Sequence, residues 1–303
     1  MFDYKKLIKS RSLRIKILRA LDFVPDSVML RIQYFIKTGR LLHLKNPQRY
    51  TEKLQWYKLY YKDPLMAQCV DKYDVRKYVE KCGLGHLLNE CYGVFEQVED
   101  IDFNQLPNSF VLKDTLGGGG NDIIIVRDKS QADIPAIKTQ LTQWLARPST
   151  GKNSGREWVY ENKKHRVVIE QYLTDNHQPH GIVDYKFLCF QAKPCYIVLD
   201  MDRYLNHKRN IYTVDWEYLP VVTDHDTYGD IVPKPALLDQ LRQCAAQLSR
   251  AFPAVRVDLY QVNGKIYFGE LTFFPWSSYV IFQPDEFDFT LGKQFVLPKR
   301  RRL

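Results

Sequence analysis

Four consecutive glycines, Gly117-Gly118-Gly119-Gly120, stand between two apolar runs, Phe110-Val111-Leu112 and Ile123-Ile124-Ile125-Val126. Glycine loses more conformational freedom on ordering than any other residue and has no side chain to pack. Such a run belongs in a loop, and the β-branched residues beside it belong in strands. A strand, not a helix, follows the glycines, and no Gly-Lys-Ser/Thr is present. Both facts exclude a Walker-type loop and a dinucleotide-binding turn, each of which opens a helix. Strand, glycine loop, strand instead describes a flap. Its backbone can approach a ligand closely and point N–H groups at phosphate oxygens. A plain surface hairpin has the same pattern, but Lys113 just upstream supplies a point charge suited to phosphate. Valine at Gly118 and Gly119 is expected to be resisted, because β-branched residues avoid the conformations such a loop uses.

The remainder of the chain is an ordinary globular sequence. Its 303 residues are 45% hydrophobic and 26% charged, enough to bury a core without disulfides. The six cysteines form no CxxC pair, so reduced thiols are expected. No apolar run is long enough to span a bilayer, and no signal-peptide core is present, so a cytoplasmic protein is expected. Charge is uneven. Residues 1–49 hold 12 Lys and Arg against three acids, and so carry the entire net charge of +9. The body is neutral, which argues against a nucleic-acid-binding module, since such binding is driven by phosphate neutralisation. Within the basic segment, Leu7, Ile8, Ile15, Leu18 and Leu21 recur at helical spacing. Pro25-Asp26-Ser27 breaks the pattern, and a second helix is expected over 27–38, ended by Gly39. This segment reads either as a helical layer with a wet basic face or as a peripheral anchor for an anionic membrane surface or a partner enzyme. Lys299-Arg300-Arg301-Arg302 makes a second, small basic tail.

Residues 51–82 read as helical, the second helix beginning at Asp71. Strands are expected at 108–113, 123–126, 167–169, 184–190 and 195–201, with helices over 131–147 and 235–251. Two further strands, 255–262 and 265–272, meet through Asn263-Gly264, a hairpin signal. The order is α+β, not a regular βαβ series. The last hairpin carries Asp258 and Glu270 among apolar neighbours, and buried carboxylates are costly unless paired or bound to a cation. Two of them with phosphate oxygens are what Mg²⁺ takes; a salt bridge to Arg256 is the other reading. Register decides whether they meet. A plain two-residue turn sets Asp258 opposite Gly269 and turns Glu270 to the other face. One extra residue, in the connection or as a bulge, sets Asp258 opposite Glu270 and gathers Val255, Val257, Leu259 and Leu271 on the opposite face.

These pieces fall in one order, and the chain resembles the TupA-like group of ATP-grasp ligases over about residues 45–295. The stretches that carry the resemblance are Thr51-Glu52-Lys53-Leu54-Gln55-Trp56, Asp71-Lys72-Tyr73-Asp74-Val75-Arg76, Phe110-Val111-Leu112-Lys113, Gly155-Arg156-Glu157-Trp158, Asn206-His207-Lys208-Arg209-Asn210, Arg256-Val257-Asp258-Leu259-Tyr260 and Gly269-Glu270-Leu271-Thr272-Phe273. The resemblance implies a two-lobed ATP-grasp fold with ATP between the lobes. A basic helical segment (1–49) and a helical region (50–107) would precede an N-terminal lobe with the flap (108–173). A C-terminal lobe with the metal site (174–292) and the basic tail (293–303) would follow. By position, Lys72 and Lys113 would contact ATP phosphates, and Gly118, Gly119 and Gly120 would form the flap. Glu170, Gln171 and Leu173 would be the adenine and ribose hinge. Lys186, Arg203 and Arg209 would face the transferred phosphate and the acyl group. Asp258, Glu270 and Thr272 would hold one or two Mg²⁺ ions; Thr272 stands where many ATP-grasp enzymes have Asn.

The activity the resemblance implies is ATP-driven amide formation through an acyl phosphate, joining an amino acid to a uronic acid of a bacterial cell-surface polysaccharide. A kinase acting on a sugar hydroxyl with the same nucleotide lobes is the alternative. On this reading the basic N-terminus would meet either anionic membrane or glycan-assembly enzymes.

Overall fold

The computed structural model describes residues 10–118, 120, 122–175, 182–201 and 207–302. Arg11–Ala20 (α1) and Asp26–Thr38 (α2) form the N-terminal helices. As expected, Gly39 ends α2, with φ +73° and its N–H donated to the Phe35 carbonyl. Tyr50–Tyr60 (α3), Pro64–Cys69 (α4) and Val75–Lys81 (α5) follow. The helix expected from Asp71 starts later, at Val75. The Asp71 carboxylate accepts the N–H groups of Tyr73 and Asp74 at 2.9 and 3.0 Å, holding these residues in a turn ahead of the helix.

Two antiparallel sheets make the body. The smaller has four strands in the order β1-β4-β2-β3: Cys91–Phe95 (β1), Phe110–Asp114 (β2), Ile123–Val126 (β3) and Val167–Gln171 (β4). Strand β1 lies within the stretch read as helical. Its Cys-Tyr-Gly-Val-Phe sequence has no clean alternation, and pairing with β4 organises it. Helix α6, Ile134–Leu145, covers this sheet through Ile137, Leu141 and Trp144, packed against Phe110, Leu112, Val167 and Ile169.

The larger sheet runs β10-β9-β5-β6-β7-β8: Asp184–Phe190 (β5), Lys193–Met201 (β6), Lys208–Thr213 (β7), Tyr218–Leu219 (β8), Ala254–Val262 (β9) and Lys265–Thr272 (β10). Helix α7, Leu238–Ser249, packs on one face, burying Leu241, Ala245 and Leu248 with Phe187, Val257 and Leu259. Strands β7 and β8 and helix α8, Glu286–Gln294, lie outside the elements expected from the sequence.

The N-terminal helices sit on this body: Leu30 and Tyr34 of α2 pack with Trp56 of α3 and with Leu42, Leu44 and Tyr279. The C-terminal basic tail is docked. Arg301 pairs with Tyr61 as a short parallel bridge and its guanidinium holds Asp63 at 2.5 Å, while Arg300 lies over the Tyr60 ring. Among the described residues no helix is long and apolar enough to cross a membrane, and all six cysteines are free thiols.

Candidate active site

Between the sheets opens a cleft of about 1180 Å³. Its floor is one face of the large sheet, and that face carries an ion lattice. Strand alternation puts Asp184 and Lys186 of β5 on the same side, and likewise Arg256 and Asp258 of β9. Lys186 pairs across the ladder with Asp258, Asp184 with Asp200 of β6, and Asp200 with Arg209 of β7. The β9–β10 connection is the plain two-residue turn, with Val262 opposite Lys265. A bulge between Phe268 and Glu270 then supplies the extra residue and sets Glu270 opposite Asp258. Of the two ways to bring these carboxylates together, the fold uses the bulge. Val255, Val257, Leu259 and Leu271 are buried on the other side, as that register requires.

The two carboxylates already share a cation. Arg256 donates from Nε to Asp258 Oδ1 at 2.7 Å, and from Nη2 to Asp258 Oδ2 at 2.7 Å and Glu270 Oε1 at 2.8 Å. Thr272 Oγ1 accepts from the same Nη2 at 3.0 Å and donates to Glu270 Oε1 at 3.1 Å. Lys186 donates to Asp184 and, at 3.0 Å, to Asp258 Oδ2. Arg209 donates to both oxygens of Asp200, at 2.6 and 3.2 Å, pairs with Asp224, and lies over the Trp276 ring. Asp184, Asp200, Asp258 and Glu270 thus share Lys186, Arg209 and Arg256, with Asp224 also on Arg209. Burial pushes Asp258 up to about 6, against the pull of Arg256 and Lys186, with Asp184 and Glu270 adding to the rise. Glu270 goes the other way. Burial raises it, but Arg256, Lys72 and Lys186 bring it down to about 2. Asp258 is buried, whereas the Glu270 side chain keeps 40% of its surface exposed. Two carboxylates and a hydroxyl are hard oxygen donors, which fit a divalent cation such as Mg²⁺.

The opposite wall comes from the small sheet. Lys72 Nζ donates to the Gly117 carbonyl, tying the glycine loop to the turn before α5. Arg147 clamps the neck of the loop through Asp114 at 2.8 Å and Asp122 at 2.6 Å. Gly117 is the sterically tight position: a Cβ there would meet Asp122 Cβ at 2.5 Å. Gly120 needs its freedom for φ +77°. Gly118 has an ordinary φ and open space around it, so the expectation that it resists a side chain does not hold. Gly119 lies outside the described residues, as does Arg203.

Lys113 and Glu170, assigned from the sequence to phosphate and ribose, touch each other. Lys113 Nζ donates to Glu170 Oε2 at 2.7 Å, and Arg76 lies 3.4 Å from Oε1. Burial raises the Glu170 carboxyl, but these cations bring it below the usual range. Gln171 donates its N–H to the Glu90 carbonyl at 2.9 Å. Gln171 and Leu173 are half-buried beyond the end of the cleft lining, which includes Glu170.

From the sequence Arg256 is expected only as a salt-bridge partner of the two carboxylates, and the structure shows that bridge. The i,i+2 spacing Arg256-x-Asp258 repeats Asp184-x-Lys186 on the next strand and puts Arg256 on the same face. Arg76 is not among the expected site residues. Arg76 has no such local mark, because its partner Glu170 is 94 residues away.

A family model described as TupA-like ATPgrasp matches residues 52–296. The chain belongs to the TupA-like ATP-grasp family. No curated protein matches it. Similar solved structures include a D-alanine–D-alanine ligase from Bacillus anthracis, 19% identical, with a TM-score of 0.43, covering 68% of this chain and 57% of that one. The D-alanine–D-alanine ligase from Helicobacter pylori is 16% identical, with a TM-score of 0.43, covering 75% and 61%. A RimK domain protein ATP-grasp from Sphaerobacter thermophilus is 11% identical, with a TM-score of 0.43, covering 77% and 68%. This TupA-like chain spans less than two thirds of the length of either D-alanine–D-alanine ligase.

Proposed function

We propose that this TupA-like ATP-grasp protein is an ATP-dependent carboxylate–amine ligase, joining an amino acid to a uronic acid of a bacterial cell-surface polysaccharide or its precursor. The observation that supports the reaction class is the carboxylate pair Asp258–Glu270 set with Arg256 and Lys186 on the cleft floor, opposite a glycine loop flanked by Lys72 and Lys113. The choice of substrates rests only on the resemblance to that family.

In this reaction a substrate carboxylate oxygen attacks the γ-phosphorus of ATP, the bond to the bridging oxygen breaks, and ADP leaves. The amine then attacks the acyl carbon, inorganic phosphate departs with the C–O bond electrons, and the nitrogen loses a proton. Lys72 and Lys113 would neutralise charge on the phosphate oxygens, the main lever in phosphoryl transfer. Asp258, Glu270 and Thr272 would hold Mg²⁺, which supplies further neutralisation at those oxygens. Arg256 and Lys186, fixed by the buried carboxylates, would meet the oxyanion that develops at the acyl carbon, where preorganised donors act most strongly. Closing the glycine loop would exclude water from the acyl phosphate.

The test is ADP release by the full chain with ATP, Mg²⁺ and pairs of uronic acids and amino acids, followed by mass spectrometry. An amide carrying the mass of both partners less one water, with ADP and phosphate, supports the ligase. A phosphorylated sugar with ADP would make it a kinase instead.

A further inference from the structure

Helix α2 is apolar on both of its sides. Met29, Leu30 and Tyr34 face inward and are buried. Val28, Ile32, Phe35 and Ile36 fall on one outward stripe, at helical spacings of four, three and one, and are 37–55% exposed. Leu13 and Ile17 of α1, four residues apart, are 49% and 39% exposed. Phe23 in the connection is 80% exposed and Leu41 after α2 is 69% exposed. Eight of the twelve exposed large hydrophobic residues among those described therefore lie within residues 13–41. Soluble proteins rarely leave such a patch bare without a use for it.

We propose that this face docks the protein on an anionic lipid bilayer. Charge selects the occupant. The segment that exposes the apolar stripe is the one that carries the whole net charge of +9. Lys16, Arg19 and Arg31 are exposed. Its acids do not cancel them: Asp26 is paired with Lys152 at 2.8 Å and Arg156 at 3.4 Å, and Asp22 with Arg156 at 3.8 Å. Arg40 and Arg49 of the segment are paired with Asp285, but an apolar stripe with aromatic and aliphatic groups, accompanied by exposed cations, is the pattern of a helix lying in the headgroup region of a negatively charged membrane. A nucleic acid would leave the aliphatic stripe unsatisfied. Leu18, Arg19 and Lys37 also line the cleft. Helical spacing puts Lys37 on the side of α2 away from the stripe, so the docking does not depend on which reaction the cleft performs.

The experiment is co-sedimentation of the full chain with vesicles of phosphatidylcholine alone, or with about one third phosphatidylglycerol, at low salt and at about 0.5 M NaCl, where screening is strong. The expected result is binding at least ~10-fold tighter to the anionic vesicles, lost at high salt, as for surfaces that combine apolar burial with charge. The double variant Ile32→Ser/Phe35→Ser should lose about tenfold in vesicle affinity with its melting temperature and ADP affinity unchanged. Phe35→Trp keeps the face apolar; it should bind as the parent does, and brominated lipid should quench its fluorescence. No binding to anionic vesicles by the parent, or equal binding by the double variant, overturns the proposal. So does a dimer, seen by sedimentation without vesicle binding, that the double variant dissolves: the face would then be an interface between copies.

Discussion

Asp258 and Glu270 face each other across the β9–β10 ladder, and one nitrogen, Arg256 Nη2, donates to both, at 2.7 and 2.8 Å. The relationship depends on Gly269, the residue bulged out between Phe268 and Glu270. Without that extra residue Glu270 would point to the apolar side of the hairpin, among the side chains buried under α7.

Gly269 should therefore tolerate no larger side chain. A Cβ there would meet the Tyr260 ring at 2.9 Å and the Asp258 carbonyl oxygen at 3.0 Å. Gly269→Val is expected to cost about 1–3 kcal/mol of stability, as overpacking does, and to lower turnover by moving Glu270. Urea unfolding and ADP release check both. Normal values for each would mean that the hairpin keeps its register without glycine.

Glu270→Gln removes the charge and keeps the shape. Near neutral pH it should cost about 1 kcal/mol of stability, because the amide no longer meets the charge of Arg256 in a pair that is partly open to solvent. ADP release should fall by at least ~100-fold, because the amide no longer offsets metal and phosphate charge. Calorimetry with ADP alone should still register binding. A variant that turns over normally would remove Glu270 from the site.

The titration of Asp258 predicts a pH dependence of definite sign. Burial raises this carboxyl from the usual 3.8 to about 6, so folding favours its protonated form. Its contribution to stability is full below about pH 4 and is lost as the pH rises through 6. Glu270 runs the opposite way: lowered to about 2, it contributes above about pH 4.5, and that contribution disappears as the pH falls through 2. The stability of the parent relative to Asp258→Asn should therefore drop by roughly 2 kcal/mol between pH 4 and pH 6. Denaturant unfolding across that range measures it. A flat difference would show that Asp258 stays ionised throughout.

The glycine loop gives a graded series. Gly118→Val should leave folding and nucleotide affinity within about twofold, since its φ is ordinary and the space around it is open. Gly120→Val forces a β-branched residue to φ +77° and should weaken ADP binding about tenfold, at about 1–3 kcal/mol of local strain. Isothermal titration of the two variants compares them directly. Equal affinities would mark the loop as an ordinary hairpin with no part in binding.

Much of this site was legible in the sequence because it rests on local rules. A four-glycine run between β-branched residues makes a loop between strands, and β2 and β3 pair around it. The alternation along 184–190 and 254–262 puts Asp184 with Lys186, and Arg256 with Asp258, whatever lies beyond. Even the choice between two registers for Asp258 and Glu270 could be written down from the apolar pattern. Other features depended on groups far apart in the chain. Tyr260, packed where a Gly269 side chain would go, accompanies the bulge in place of a longer turn. The strand Cys91–Phe95 forms against β4, some 75 residues on. Arg76 and Lys113 converge on Glu170. In α2 the spacing shows apolar residues on both sides of the helix; only packing against Trp56 and Tyr279 decides which side is covered and leaves Ile32 and Phe35 facing solvent. Periodicity is a property of neighbouring residues, whereas burial and ion pairing are set by whatever the rest of the chain brings alongside.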